Sequence, residues 1–330
     1  MSRAKLVLPG GSGFLGQVLS EWFGRSGWEV VILSRRAISD PGHARSVRWD
    51  GRNPGSWCDE LAGADVVINL AGRSVDCRYH ARNRRAMIDS RIDSTRVLGE
   101  AIGRCSNPPA VWMNSSTATI YPHSVDSPMD ESIDEFVATP EAKDAFSIEI
   151  ATRWEQAFHE ARTPATRKVA LRAAMVLADV PGTVFTVLRR LVRLGLGGRM
   201  ASGRQYVSWI HAVDFCRAVE WLIDHEELSG PVNLSAPNPL TNAEMMRELR
   251  KVHGVPFGLP AAKWMLEIGA FLLRTETELI IKSRRAVPTR LLESGFEFQY
   301  LTFEAAVSDL SGETASSSNA QRSRNSSSLR

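Results

Sequence analysis

Residues 5 to 16 read Lys5-Leu6-Val7-Leu8-Pro9-Gly10-Gly11-Ser12-Gly13-Phe14-Leu15-Gly16, and apolar side chains then recur at Leu19, Trp22 and Phe23. A short apolar run, a glycine cluster and a helical period in direct succession predict a strand, a tight turn and a helix. Each glycine has a task in such a unit. Gly10 or Gly11 permits the turn, Gly13 lets a ligand approach the backbone, and Gly16 allows helix and strand to pack closely. Ser12, Phe14 and Leu15 complete a loop that opens onto a helix N-terminus, where N–H groups and the helix dipole favour a phosphate. The reading is a dinucleotide-binding unit. A glycine turn without a ligand is the alternative, and the flanking strand and helix argue against it.

The second apolar run, Glu29–Ser34, ends in Ser34-Arg35-Arg36. A site for NAD places an acidic residue about 20 positions after the glycines, where it accepts from the ribose 2′-hydroxyl. Here two guanidiniums stand instead, suited to an adenosine 2′-phosphate through bidentate hydrogen bonds. The expected cofactor is therefore NADP rather than NAD. The alternative makes Arg35 and Arg36 solvated loop charges.

Further β-branched runs follow at Ser46–Trp49, Ala64–Leu70, Ala110–Ser115 and Lys168–Arg172, alternating with segments of helical period. That alternation predicts an α/β fold, a Rossmann-type doubly wound parallel sheet. Ile88, Ile92, Thr95, Leu98 and Ile102 mark one long crossover helix; Val184, Val187, Leu188 and Leu191 mark a second helix, and Phe215, Ala218, Val219, Leu222 and Ile223 a third. Gly230-Pro231 and Pro237-Asn238-Pro239 punctuate the chain, and Thr241 to Glu244 has the form of a capping box. These features predict a Rossmann domain over 1–230 and a smaller, mostly helical C-terminal region over 231–310. Residues 311–330, rich in Ser, Asn and Arg, are expected to form a disordered tail.

With 330 residues, 43% hydrophobic and 23% charged, the chain can bury a large core. A net charge of +3 gives no general grip on nucleic acid or acidic membranes, and the arginines at 189, 190 and 193 lack interleaved aromatics. A small-molecule partner is expected, with neither nucleic acid nor membrane. Cys58, Cys77, Cys105 and Cys216 have no metal-site or disulfide spacing and are expected to be buried thiols, and no metal site is expected. Met1 to Lys5 leaves no room for a signal peptide, and Trp264 to Leu273, interrupted by Glu267, is far shorter than the roughly 20 residues of a membrane span. A cytoplasmic location is expected.

The glycine motif, Asn69-Leu70-Ala71-Gly72, Ser115-Ser116-Thr117-Ala118-Thr119-Ile120-Tyr121 and Trp209-Ile210-His211-Ala212-Val213-Asp214 resemble the extended short-chain dehydrogenase/reductases. Ser90-Arg91-Ile92, Trp154-Glu155, Leu194 to Gly198, Ser208 to His211, and Pro288 through Gly295-Phe296 resemble its atypical "epimerase family protein" branch, which has its own small C-terminal domain. The resemblance covers roughly residues 4 to 310. It implies NADP at the strand ends, with Asp50 near the adenine and Leu70, Ala71 and Gly72 passing under the ribose and nicotinamide. It sets Arg91 where many relatives carry a structural Asn. Homodimers are common in that superfamily.

The superfamily uses a Ser or Thr to hold the substrate hydroxyl, a Tyr to move its proton and a Lys four residues later to lower the Tyr pKa. Thr117 stands at the first of these positions. Trp154-Glu155 sets a register that puts Ser147 at the Tyr position and Ala151 at the Lys position. No Tyr anywhere in the chain is followed four residues later by Lys. Tyr121 is a candidate substitute proton donor at the cleft mouth, against the reading of a packed side chain. His211 has a suitable pKa but also a role in building the cleft wall, and Asp214 is expected to cap the helix after it. Arg199, Arg204 and Gln205 are candidates for holding an anion, against the reading of a solvated loop. Two functions follow: an NADP-dependent epimerase-like oxidoreductase acting on a small molecule with a substituted acid/base, or a non-catalytic NADP(H)-binding sensor or scaffold.

Overall fold

A computed structural model of the protein describes residues 3–36, 38, 41–267 and 276–312. The strands are β1 (Lys5–Pro9), β2 (Glu29–Ser34), β3 (Ala44–Arg48), β4 (Val66–Asn69), β5 (Val111–Thr117), β6 (Arg167–Ala173), β7 (Met175–Leu177), β8 (Tyr206–Val207), β9 (Trp209–His211), β10 (Gly230–Leu234) and β11 (Leu240–Thr241). Seven of them form one sheet in the order β10-β6-β5-β4-β1-β2-β3. Every neighbour in it runs parallel. Because the strand order reverses between β1 and β4, the C-terminal ends of those two strands bound a crevice.

Helices α1 (Phe14–Arg25), α2 (Ala81–Arg104), α3 (Ala145–Glu160), α4 (Val184–Arg193), α5 (Ala212–Asp224) and α6 (Asn242–Val252) complete the main elements. Successive side chains of a strand point to opposite faces. Leu6 and Leu8 accordingly join Leu19 and Phe23 of α1 and Phe215 and Val219 of α5. Val7 faces the other way, with Val97, Leu98 and Ile102 of α2 and Phe158 of α3. Burial on both faces explains why the strands read as continuous apolar runs.

The seventh strand departs from the sequence expectation. Gly230-Pro231 looks like punctuation, yet Gly230–Leu234 pairs with Val169–Ala173 of β6, so the expected division at 230/231 falls inside a strand. Proline is tolerated there because β10 is an edge strand. Beyond it, Phe185 and Leu188 of α4, Met245, Met246 and Leu249 of α6, and Phe303 and Val307 of the helix Phe303–Leu310 build a second core. The expected capping box is present: Glu244 N donates to Thr241 Oγ1 at 3.3 Å, and Thr241 N donates to Glu244 Oε2 at 2.9 Å. The chain then returns, and Leu291, Phe296 and Phe298 enter the main core.

Asp214 does not cap α5. His211 does, with Nδ1 accepting from Val213 N at 3.1 Å. Asp214 lies inside the first turn, fully buried, and accepts from Gln299 N at 2.9 Å and Tyr300 N at 2.8 Å. It ties the returning C-terminal segment to the Rossmann sheet. Of the cysteines, Cys216 alone is buried; Cys58, Cys77 and Cys105 are half-buried free thiols. Among the described residues no helix is long and apolar enough to cross a membrane. The expected tail beyond Gly312 and the end of the apolar stretch from Trp264 lie outside the described residues.

His211 is 2% exposed, lies tilted against the Tyr300 ring and places Nε2 3.4 Å from Asp309 Oδ2. Burial holds its pKa below the ordinary histidine value, partly offset by Asp309. Below the unfolded value of about 6.5 the unfolded chain then binds more protons than the folded one. Its contribution to stability is full above that value and is lost as pH falls toward the folded value. His211→Gln is expected to flatten the acid-side fall in stability between about pH 7 and 5, measured by urea denaturation. An unchanged slope would assign the fall to other groups.

Candidate functional site

The crevice at the strand-order reversal is built by the glycine turn. Gly10 N donates to Leu33 O at 2.8 Å and Gly11 N to Leu8 O at 3.0 Å, which folds the turn back on β1 and β2. Gly10 has φ +76°, and a Cβ there would lie 2.6 Å from Ala71 Cα, so the turns after β1 and β4 touch through it. A Cβ on Gly16 would lie 2.2 Å from Gly11 O. On Gly13 it would meet nothing nearer than Gly10 O at 3.9 Å. The fold itself therefore requires glycine at 10 and 16, whereas at 13 the bare backbone faces outward beside exposed Ser12. The first intrahelical bond, Gln17 N to Gly13 O, leaves the N–H groups of Phe14, Leu15 and Gly16 ahead of it.

Next to this turn lies a groove of about 900 Å³ lined by Gly11, Ser12, Gln17, Arg35, Arg36 and His43, among others. Buried Ser34 donates its hydroxyl to Arg36 O, closing the turn that presents both guanidiniums. Arg35 and Arg36 are exposed, and among the described residues neither makes an ion pair. Asp50 is exposed beyond β3, and its carboxylate accepts from Arg52 N, Asn53 N and Asn53 Nδ2. Those bonds hold its pKa below the usual carboxylate range.

A buried amide network fixes the other wall. Asn69 Nδ2 donates to Asn114 Oδ1 at 2.7 Å and to Thr95 Oγ1 at 3.2 Å, while Asn69 Oδ1 accepts from Ala71 N at 3.1 Å. Trp154 Nε1 donates to the same Thr95 at 3.1 Å. The Leu70-Ala71-Gly72 turn is thus held by α2 and α3 together. Arg91 packs against Gly72 and over the Trp154 ring, donating to Arg73 O at 3.0 Å and Met87 O at 3.1 Å. Burial lowers its pKa to about 10. Arg91 braces the turn through backbone carbonyls.

Thr117 ends β5 half-buried, with Oγ1 2.9 Å from Thr119 Oγ1. Tyr121 is not at the cleft mouth: it is fully buried, its hydroxyl donating to Asn233 Oδ1 at 2.9 Å and accepting from Arg172 Nη1 at 3.1 Å. Burial pushes its pKa up to about 12. This placement corrects the expected position at the cleft mouth, because the hydroxyl is held between Asn233 and Arg172 inside the protein. Gln205 is also buried, bonded to Met200 O at 2.9 Å, while Arg199 and Arg204 are exposed and do not line the groove by the glycine turn.

A family model described as "NAD dependent epimerase/dehydratase family" matches residues 6–235. The chain belongs to that family. A second model, "Domain of unknown function (DUF1731)", matches residues 261–310 of this epimerase/dehydratase-family chain. It is 30% identical to "Epimerase family protein YfhF" of Bacillus subtilis over 310 residues, covering 92% of this chain and 97% of that protein. It is 28% identical to "Epimerase family protein SDR39U1" of Mus musculus, covering 93% and 99%. Among solved structures it resembles human epimerase family protein SDR39U1 (isoform 2) with NADPH, at 24% identity and TM-score 0.79, covering 93% of this chain and 98% of that one. The nucleoside-diphosphate sugar epimerase from Corynebacterium glutamicum matches at 23% identity and TM-score 0.73, covering 98% of this chain and 67% of that one.

Three residues in this member of the epimerase/dehydratase family, Asp144, Glu278 and Lys282, escaped the reading of its sequence, which named only Ser147, at the Tyr position. Ser147, Asp144, Glu278 and Lys282 meet where the C-terminal region crosses the head of α3. Their sequence signal was present but slight: Glu278 and Lys282 bracket Leu279-Ile280-Ile281 at the i, i+4 spacing of one helix face. Only contact with α3, over a hundred residues earlier, makes them a cluster.

Proposed function

We propose that this chain is an NADP(H)-binding, epimerase/dehydratase-like oxidoreductase acting on a small molecule. The observation that carries this reading is the pairing of an outward-facing glycine turn with two exposed arginines on the same groove, neither of them ion-paired among the described residues. The backbone of Gly10 to Gly16 would hold the pyrophosphate and Arg35 and Arg36 the 2′-phosphate, with Leu70, Ala71 and Gly72 under the nicotinamide end and Asp50 toward the adenine. The NADPH of the human SDR39U1 structure supports the same choice of nucleotide. When bound, NADP(H) would supply hydride chemistry; Thr117 orients the substrate oxygen.

Tryptophan fluorescence titration tests this. NADPH is expected to bind well below millimolar concentration and to bind at least about tenfold more weakly to Arg35→Asp, a loss of about 1.4 kcal/mol. NADH should respond little to that substitution. Equal loss for both nucleotides would sink the 2′-phosphate assignment, and no binding of either at millimolar concentration would sink the cofactor reading.

The sealed Tyr121 and the missing TyrxxxLys favour a second reading, an NADP(H)-binding sensor or scaffold without turnover. The two readings separate on nicotinamide absorbance. Substrate-dependent change across panels of carbonyls and alcohols supports the enzyme, and its absence alongside tight binding supports the sensor.

A further inference from the structure

The hydroxyl of Ser147, in the first turn of α3, donates to Glu278 Oε1 and has Asp144 O as a second acceptor at 3.2 Å. One helical turn beyond Glu278, Lys282 Nζ lies 3.0 Å from Asp144 Oδ2 and donates to Thr119 O at 2.7 Å. Thr119 Oγ1 in turn lies 2.9 Å from Thr117 Oγ1. Contacts that pass through the backbone carbonyls of Thr119 and Asp144 therefore connect Thr117, at the end of β5, to the head of α3 where Ser147 lies. Glu278 and Ser147 are each 6% exposed and Lys282 is 1% exposed. Beside them Glu276 Oε1 accepts from Tyr79 N at 2.7 Å, so the chain just past Gly72 closes onto the same segment.

Resting on the proposed oxidoreductase reading, we propose that Ser147 delivers the substrate proton, with Glu278 as its proton source and the Lys282–Asp144 ion pair as the positioning element. The C-terminal region thereby brings to the head of α3 the acid/base group that α3 lacks. Burial raises the Glu278 pKa, against the pull of Ser147, Lys282 and Arg284. A protonated Glu278 donates to Ser147 Oγ, which frees the serine proton for a substrate. In carbonyl reduction NADPH, when bound, would supply the hydride to the carbonyl carbon, and the carbonyl oxygen would take the Ser147 proton. The Glu278 proton refills Ser147 Oγ, and solvent reprotonates the carboxylate left at Glu278, on which Lys282 acts electrostatically. Alcohol oxidation by NADP⁺ runs the same transfers backwards.

The charged and titratable groups around Glu278 are Lys282 and Arg284 on its own segment, Asp144 at the head of α3, and Glu276 and Tyr79 beside them. The test is carboxyl-carbon NMR of the full chain labelled with ¹³C at glutamate Cδ, titrated with saturating NADP⁺ and then with saturating NADPH. Glu278→Gln assigns the resonance; if that variant does not fold, loss of the line in Glu278→Asp does so. The nicotinamide differs by one positive charge between the two forms. A carboxyl facing it is expected to titrate about one pH unit lower with NADP⁺. Equal midpoints while fluorescence shows both nucleotides bound would overturn the proposal and leave a docking cluster. Failure of either nucleotide to bind would instead remove the cofactor reading, and this proposal with it.

Discussion

Arg172→Met is expected to destabilise the folded protein by about 3–5 kcal/mol, because it strands a buried carboxylate. Arg172 and Glu155 are 4% and 6% exposed. Nε and Nη2 of the arginine hold both carboxylate oxygens at 2.9 Å, and Ser116 Oγ donates to the same carboxylate at 2.5 Å. The guanidinium also sits over the rings of Tyr121 and Phe136. Burial alone would lower the Arg172 pKa, but the Glu155 contacts outweigh it and raise the value. The double variant Arg172→Met with Glu155→Leu removes both charges and should recover much of the loss. Denaturant unfolding of the wild type, the two single variants and the double variant checks this. A single variant within about 1 kcal/mol of wild type would mean that the network rearranges rather than breaks.

The glycine turn should separate fold from ligand. Gly16→Val places atoms about 2 Å from the backbone of Gly11, which cannot yield as a flexible side chain would. It is expected to cost about 3 kcal/mol or more of stability and to abolish NADPH binding at concentrations that saturate the wild type. Gly13→Ala meets open space within the protein and should unfold like wild type, yet weaken NADPH binding at least about tenfold by crowding the pyrophosphate. Thermal unfolding and fluorescence titration on the same preparations decide it. Unchanged binding in Gly13→Ala would show that the nucleotide does not cross this turn.

Local features of the chain were legible because short-range rules govern them. The strand, glycine turn and helix of residues 5–25, the arginines after β2, the capping box at Thr241 and the long helix through Ile88 and Ile102 each depend on neighbours within a few positions. The family followed from such local motifs. Where a local rule pointed one way and long-range pairing another, the pairing prevailed. Gly230-Pro231 became an edge strand because β6 offered an open side, and Asp214 left the capping position to His211 because the backbone of Gln299 and Tyr300 returned to it.

The sequence by itself determined the parallel α/β class, the place of the glycine turn at the crevice and the absence of a TyrxxxLys pair, since these depend on residue order and hydrophobic period. Tertiary structure alone decided that Tyr121 is sealed behind Arg172 and Asn233. It also decided that Glu278 and Lys282 reach Ser147 and Asp144 across a separation of more than a hundred residues. Side-chain burial and the pKa shifts it causes depend on which distant segments exclude water, and no spacing along the chain encodes that.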